Sequence, residues 1–150
     1  MEYDDVWQKI LKPEEKVIKE FSLGRKYILM IQTIDGLLGL LFLPFAWFFS
    51  VILFLAIPLI SWYLRKANAY CFSNKRVLVH RGWLTTHLIS VDFDKITDVN
   101  VREPFFERIF LNTGELKINT AGTGFQEIIL THIEEPYELK KTLDGIRETK

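Results

Sequence analysis

Between Tyr27 and Leu64 the chain runs for 38 residues with a single charged side chain, Asp35. Nothing else in the sequence restricts the fold so strongly, because a stretch this long and apolar has few stable environments other than a bilayer. As one straight helix it would measure about 57 Å at 1.5 Å per residue, almost twice the roughly 30 Å of a hydrocarbon core. Two spans fit better, from Tyr27 to Leu43 and from Ala46 to Tyr63, with Pro44 and Phe45 in an apolar turn between them. Arg25 and Lys26 precede the run, Arg65 and Lys66 follow it, and no Lys or Arg lies near the turn. The positive-inside rule then predicts a two-pass protein integral to the cell membrane, with both termini cytoplasmic. The rival arrangement is one tilted span, Gly36 to Leu64, 29 residues without a charge, which leaves Asp35 at the interface. Residues 1–26 carry six basic and six acidic side chains together with Trp7 and Pro13, so they read as a cytoplasmic arm and not as a cleaved signal.

Asp35 is what the hairpin must accommodate, since an acid near mid-bilayer costs about 2.5 to 3.5 kcal/mol on insertion scales. Helical spacing puts Gln32, Asp35, Gly36 and Gly39 on one face of the first span, and Ala46, Ser50, Ile57 and Ser61 on one face of the second. These faces are expected to pack together, with Gln32 and Asp35 as the intramembrane polar pair. Trp47, Phe48 and Phe49 near the turn, and Trp62 with Tyr63 at the exit, sit where aromatic belts anchor a span.

From Asn68 onward the period changes to two. Val77, Val79 and Arg81 alternate with Arg76, Leu78 and His80, and Ile89, Val91 and Phe93 alternate with Ser90, Asp92 and Asp94. Thr97, Val99 and Val101 then alternate with Asp98, Asn100 and Arg102, and Leu116, Ile118 and Thr120 with Lys117, Asn119 and Ala121. Ser73-Asn74-Lys75 is expected to turn the first hairpin and Gly122-Thr123-Gly124 the last, before a final strand from Phe125 to Thr131. Pro136 marks a helix start, and Leu139, Leu143 and Ile146 form its apolar stripe. This is the spacing of a mainly-β barrel or sandwich closed by a C-terminal helix.

The stretches AYCFSNKRVLVHRGWL, ISVDFDKITDVNVREPFFERIF and GELKINTAG resemble the bacterial pleckstrin-homology-like membrane proteins. The resemblance runs from Asn68 to Leu143 and is most specific from Asp94 to Phe110, where ITDVNVREP leads into PFFERIF. It implies a membrane α-helical hairpin, at 27–64, followed by a cytoplasmic PH-like domain, at 65–150; the alternation itself counts about six or seven antiparallel strands for that barrel. Members of that family often carry glycines after the aromatic turn, where this chain has Phe110-Leu111-Asn112-Thr113-Gly114.

Chemistry is sparse. The net charge of 0 and pI near 6.8 lack the basic excess of a nucleic-acid binder. His80, His87 and His132 are far apart, so no metal site is expected, and the lone Cys71 has no helper histidine that would make it a nucleophile. Gly122-Thr123-Gly124 lacks the lysine of a phosphate loop. The expectation is therefore a non-enzymatic, cofactor-free interaction or assembly module whose partners are membrane lipids and a protein or a second copy of the chain. Two surfaces stand out. Arg25, Lys26, Arg65, Lys66, Lys75 and Arg76 could form an anionic-lipid patch. Arg102, Glu103, Pro104, Phe105, Phe106 and Arg108 could form a partner surface, unless Phe105, Phe106 and Phe110 plug the open end of the barrel. The alternative functions are an anionic-lipid-binding module and an envelope-stress or transport-associated component in which Asp35 titrates.

Overall fold

A computed structural model of the chain describes residues 4–44, 47–82, 84–121 and 128–148. Within them run α1 (Asp4–Trp7), β1 (Val17–Ser22), α2 (Arg25–Phe42), α3 (Trp47–Ala67), β2 (Asn68–Ser73), β3 (Arg76–Arg81), β4 (His87–Asp92), β5 (Ile96–Arg102), β6 (Thr113–Thr120), β7 (Ile128–Glu134) and α4 (Pro136–Glu148). The strands form two antiparallel sheets, β1-β2-β3-β4 and β5-β6-β7. A lone bridge between Leu23 and Ile133 joins their ends.

The barrel expected from the sequence is therefore open. The turn Phe93–Lys95 drops the buried Phe93 ring into the core and carries the chain out of one sheet into the other, so β4 and β5 do not pair. Strands β3 to β6 lie where the period of two placed them. The final strand begins at Ile128; the expected turn at 122–124 and residues 125–127 fall outside the described residues.

The N-terminal arm contributes more than sequence alternation shows. Its residues 17–22 form β1, which pairs with β2 from Val17 opposite Ser73 to Ser22 opposite Ala69. Two neighbouring strands of one sheet are thus separated in the chain by both apolar helices. Ahead of β1, Trp7 (1% exposed) packs on Ala69, Cys71 and Leu78. Strand β2 is consequently covered on both faces: Tyr70 and Phe72 point into the main core, Ala69 and Cys71 toward the arm. The main core lies between the sheets and α4, where Val79, Leu116, Ile118 and Leu130 meet Leu139 and Leu143.

Helices α2 and α3 pack antiparallel along a seam of small and polar residues. Gln32 Nε2 donates to Ser61 Oγ at 2.5 Å, and a Cβ added at Gly39 would lie 3.2 Å from the Phe54 ring. Ser50 and Ser61 are buried in this seam. Gly36 is not part of it, because a Cβ there would meet nothing within 4 Å, and Asp35 is half-buried. Ala46 lies outside the described residues. Among the described helices only α3 is long and apolar enough to cross a membrane by itself, with mean hydropathy 2.0 and 11% of the span buried. The helices taken singly therefore support one span and not the two expected from the sequence: the 18-residue α2 starts on Arg25 and Lys26 and carries Asp35, which interrupts its apolar length.

Candidate functional site

Both helices leave the β-domain at one pole, and the strand register shows what else gathers there. Ser22 at the end of β1 is opposite Ala69, Asn68 at the start of β2 pairs with Arg81, and Arg81 at the end of β3 pairs with His87. In the second sheet Arg102 at the end of β5 pairs with Glu115, and Thr113 at the start of β6 pairs with Glu134. The Gly24 N–H donates to the His132 carbonyl at 2.7 Å, beside the Leu23–Ile133 bridge, and so fastens the two sets of strand ends together. The pole therefore unites the base of the helical hairpin, the β3–β4 loop, the β5–β6 connection and the start of α4.

Three non-glycine residues at this pole hold left-handed backbone: Asn112 (φ 53), His132 (φ 55) and Glu135 (φ 49). Such a conformation costs roughly 1 to 2 kcal/mol for most residues, so its local bonds matter. Asn112 stands after the aromatic turn, where the resemblance implies glycine; asparagine is the residue that best substitutes for glycine there. Its carbonyl accepts the Glu135 N–H at 3.2 Å. The left-handed twist at His132 aims its ring at the hairpin, where it stacks on Tyr27 with centroids 3.8 Å apart and planes 7° from parallel. His132 Nδ1 lies 3.0 Å from Glu107 Oε2, and that oxygen also accepts from Thr113 Oγ1 at 3.2 Å. This Tyr27–His132–Glu107–Thr113 latch was not legible in the sequence, since its members are scattered over three elements and a turn and follow no spacing motif.

The six candidate lipid-binding cations do not converge. Arg25, Lys26, Arg65 and Lys66 lie at the hairpin base, in the first turn of α2 and the last turn of α3. Lys75 and Arg76 sit in and after the β2–β3 turn, beyond Ser73, which pairs with Val17 at the opposite end of the sheet. Six strand residues at about 3.3 Å each put that turn about 20 Å along the strand from Ala67. Arg76 is also engaged. Its Nε and Nη2 donate to the two Glu15 oxygens at 2.9 and 2.8 Å, while Ser73 Oγ donates to Glu15 Oε1 at 2.6 Å. Burial alone would raise the Glu15 pKa; the bonds from Arg76, Ser73 and the Lys12 N–H outweigh it and hold the carboxyl at about 2. Lys75 pairs with the exposed Glu14 at 3.6 Å.

The second candidate surface is held together. Pro104 and Glu103 are half-buried, Arg108 is exposed, and Arg102 reaches Glu115 at 3.9 Å. Phe105, Phe106 and Phe110 are 63%, 72% and 68% exposed, so they do not plug the sheets. From the helical turn Glu107–Leu111, Leu111 alone is buried.

Elsewhere, a groove of about 350 Å³ runs between β1 and α4, lined by Lys19, Phe21, Arg25, Glu134 and Glu138 among others. Ser22 is also in that lining, and its hydroxyl is committed to the Asn68 carbonyl. Burial, with Glu20 and Glu15 nearby, pushes the Cys71 thiol up to about 12, which makes it a poor nucleophile. No cluster of three His, Cys, Asp or Glu side chains suited to a metal occurs among the described residues.

Comparison with known proteins follows the fold. The family described as Bacterial PH domain matches residues 26–147. No curated protein matches the sequence. Among solved structures, a DUF1696 family protein with a pleckstrin-homology domain from Shewanella loihica PV-4 is similar at TM-score 0.53 and 14% identity, covering 97% of this chain and 94% of its own. A pleckstrin homology domain from Shewanella amazonensis SB2B is similar at TM-score 0.54 and 12% identity, covering 97% of this chain and 86% of its own. At these identities the likeness is one of fold.

Proposed function

Since the chain belongs to the bacterial PH domain family, we propose that it is a non-enzymatic PH-like interaction module held at the cytoplasmic face of the membrane by α2 and α3, which enter the bilayer together as a hairpin. The observation that carries this reading is the surface of the hairpin. Leu37, Leu41, Trp47, Phe49, Leu55 and Leu59 are each about two-thirds exposed, an apolar area far beyond what a water-facing domain leaves uncovered. The seam of Gln32, Gly39, Ser50 and Ser61 supports the joint entry of α2, because it gives the polar groups of both helices an inner face. The basic residues at both outer ends favour the cytoplasmic side for the domain. Its partner is a protein or a second copy of the chain. A broad anionic-lipid patch finds less support, since two of its six cations lie at the opposite end of the sheet and one of those is bound to a buried carboxylate.

Topology is the test. Cysteines at residue 5 and residue 145, each in a Cys71-free background, are expected to label from the same side of sealed membranes. Labelling from opposite sides would establish a single span and refute the hairpin.

A further inference from the structure

Outside the two helices and Leu43, which caps α2 at the far tip of the hairpin, the described large apolar side chains that remain exposed are not scattered over the β-domain. Leu84 (86%), Phe105 (63%), Phe106 (72%), Ile109 (54%), Phe110 (68%) and Tyr137 (61%) all belong to the loops and helix start of the hairpin-bearing pole. Leu88, opposite His80 near the start of β4, adds to them, and Ile18 at the far end of β1 is the one exception. Resting on the membrane reading above, we propose that this pole is a bilayer-contact face: the turn from Phe105 to Phe110 seats its aromatic side chains in the interface of the same membrane that α2 and α3 enter.

The occupant follows from continuity with the hairpin. Tyr27 is the third residue of α2, at the level where Arg25 and Lys26 would meet headgroups. Its ring is stacked on His132, and His132 is bonded to Glu107, the residue directly after Phe106. The aromatic turn is thus latched to the entry point of the first span. A protein partner on this patch would have to displace the headgroups that surround that entry point, whereas lipid is already there. The patch is also formed in advance. The Arg108 N–H donates to the Pro104 carbonyl at 2.9 Å, and the Phe105 and Phe106 rings meet edge to face at 5.5 Å. Charge around it is balanced, Arg102 and Arg108 against Glu103 and Glu107. Contact therefore depends on aromatic insertion and not on anionic lipid.

Full-length protein in vesicles tests the assignment, with an environment-sensitive fluorophore on a single cysteine in a Cys71→Ser background. Three variants are compared: Phe106→Cys in the turn, Leu55→Cys in the hairpin and Ile18→Cys at the far pole. In zwitterionic phosphatidylcholine vesicles the residue 106 label is expected to be quenched several-fold more by shallow nitroxide lipids than by aqueous iodide. The residue 18 label should show the reverse, and adding anionic phosphatidylglycerol should change neither. A residue 106 label quenched by iodide as strongly as the residue 18 label, while the residue 55 label is quenched by acyl-chain nitroxides, overturns the proposal and leaves the membrane anchoring through α3 intact. Shielding of the residue 106 label from both quenchers means that protein covers the patch, and also overturns it. A residue 55 label open to iodide refutes the hairpin, and this inference with it.

Discussion

Replacing Glu15 by glutamine keeps the shape of the arm but removes the charge that Arg76 and Ser73 hold in place. The Glu15 side chain is fully buried (0% exposed) and that of Arg76 nearly so (14%), so solvent screens the pair little. With the carboxyl held at about 2 in the folded protein against 4.5 in the unfolded chain, the ionised form favours folding by about 3 kcal/mol near neutral pH. The sign is that of a depressed acid: the contribution is complete above the unfolded pKa and is lost as pH falls through the folded one. The same linkage leaves about 1 kcal/mol at pH 3 and well under 1 kcal/mol at pH 2. Glu15→Gln should therefore lower the stability of the β-domain by about 3 kcal/mol at pH 7, a large part of the roughly 5 to 15 kcal/mol that holds a domain together. The gap between variant and wild type should close steadily below pH 4.5. Urea unfolding of full-length protein in micelles, followed by near-ultraviolet circular dichroism, measures both. Equal stability at pH 7, or a gap of the same size at pH 3, would refute the claim that this ion pair clamps the arm to the β2–β3 turn.

Two further outcomes are expected. Asp35→Asn should insert and function as wild type does, because a neutral amide costs less than a charge within an apolar span, whereas Asp35→Lys should fail to insert; membrane fractionation of the two variants decides, and loss of function in a normally inserted Asp35→Asn would favour ion handling. Cys71, fully buried beneath Trp7 with its thiol pushed up to about 12, should resist thiol reagents in the native protein, and Trp7→Ala should speed its labelling at least tenfold by opening the arm.

What the sequence disclosed depended on whether the signal was local. Alternation over six to eight residues located β3 to β6, because Val77, Val79, Val91, Val99, Leu116 and Ile118 all face one shared core. Strand β1 escaped because its partner β2 is about fifty residues away across both helices, and because VIKEFS alternates poorly. Nor could periodicity reveal the Glu15–Arg76 pair, whose members are 61 positions apart. The six cations are spread over two ends of the domain for a related reason: a hairpin turn close in sequence to Arg65 and Lys66 is carried to the other end of the sheet by a single strand. For the aromatic turn, composition singled out Phe105 and Phe106 but could not say whether they face inward; both are exposed, and Leu111 is the residue of that turn that is buried.

The route of the chain constrains the domain as much as its contacts do. Leu23 and Gly24 are the only residues between β1 and α2, and β2 follows α3 directly at Asn68. Neighbouring strands lie about 4.8 Å apart, and packed helices about 8 to 10 Å, so adjacent strand ends can receive the two legs of a hairpin with little splaying. Neither leg has a flexible linker. The β1–β2 ladder therefore acts as a clasp across the hairpin base, and a domain held by two short legs cannot swivel as one on a single tether can. If α2 and α3 stand in the bilayer, the helix-bearing pole must face it. The β2–β3 turn, the Phe93–Lys95 corner and the C-terminal end of α4, where Arg147 bonds the Ile96 carbonyl at 3.0 Å, then point away from the membrane, and with the flanks of the sheets they form the surface left for a protein partner to reach.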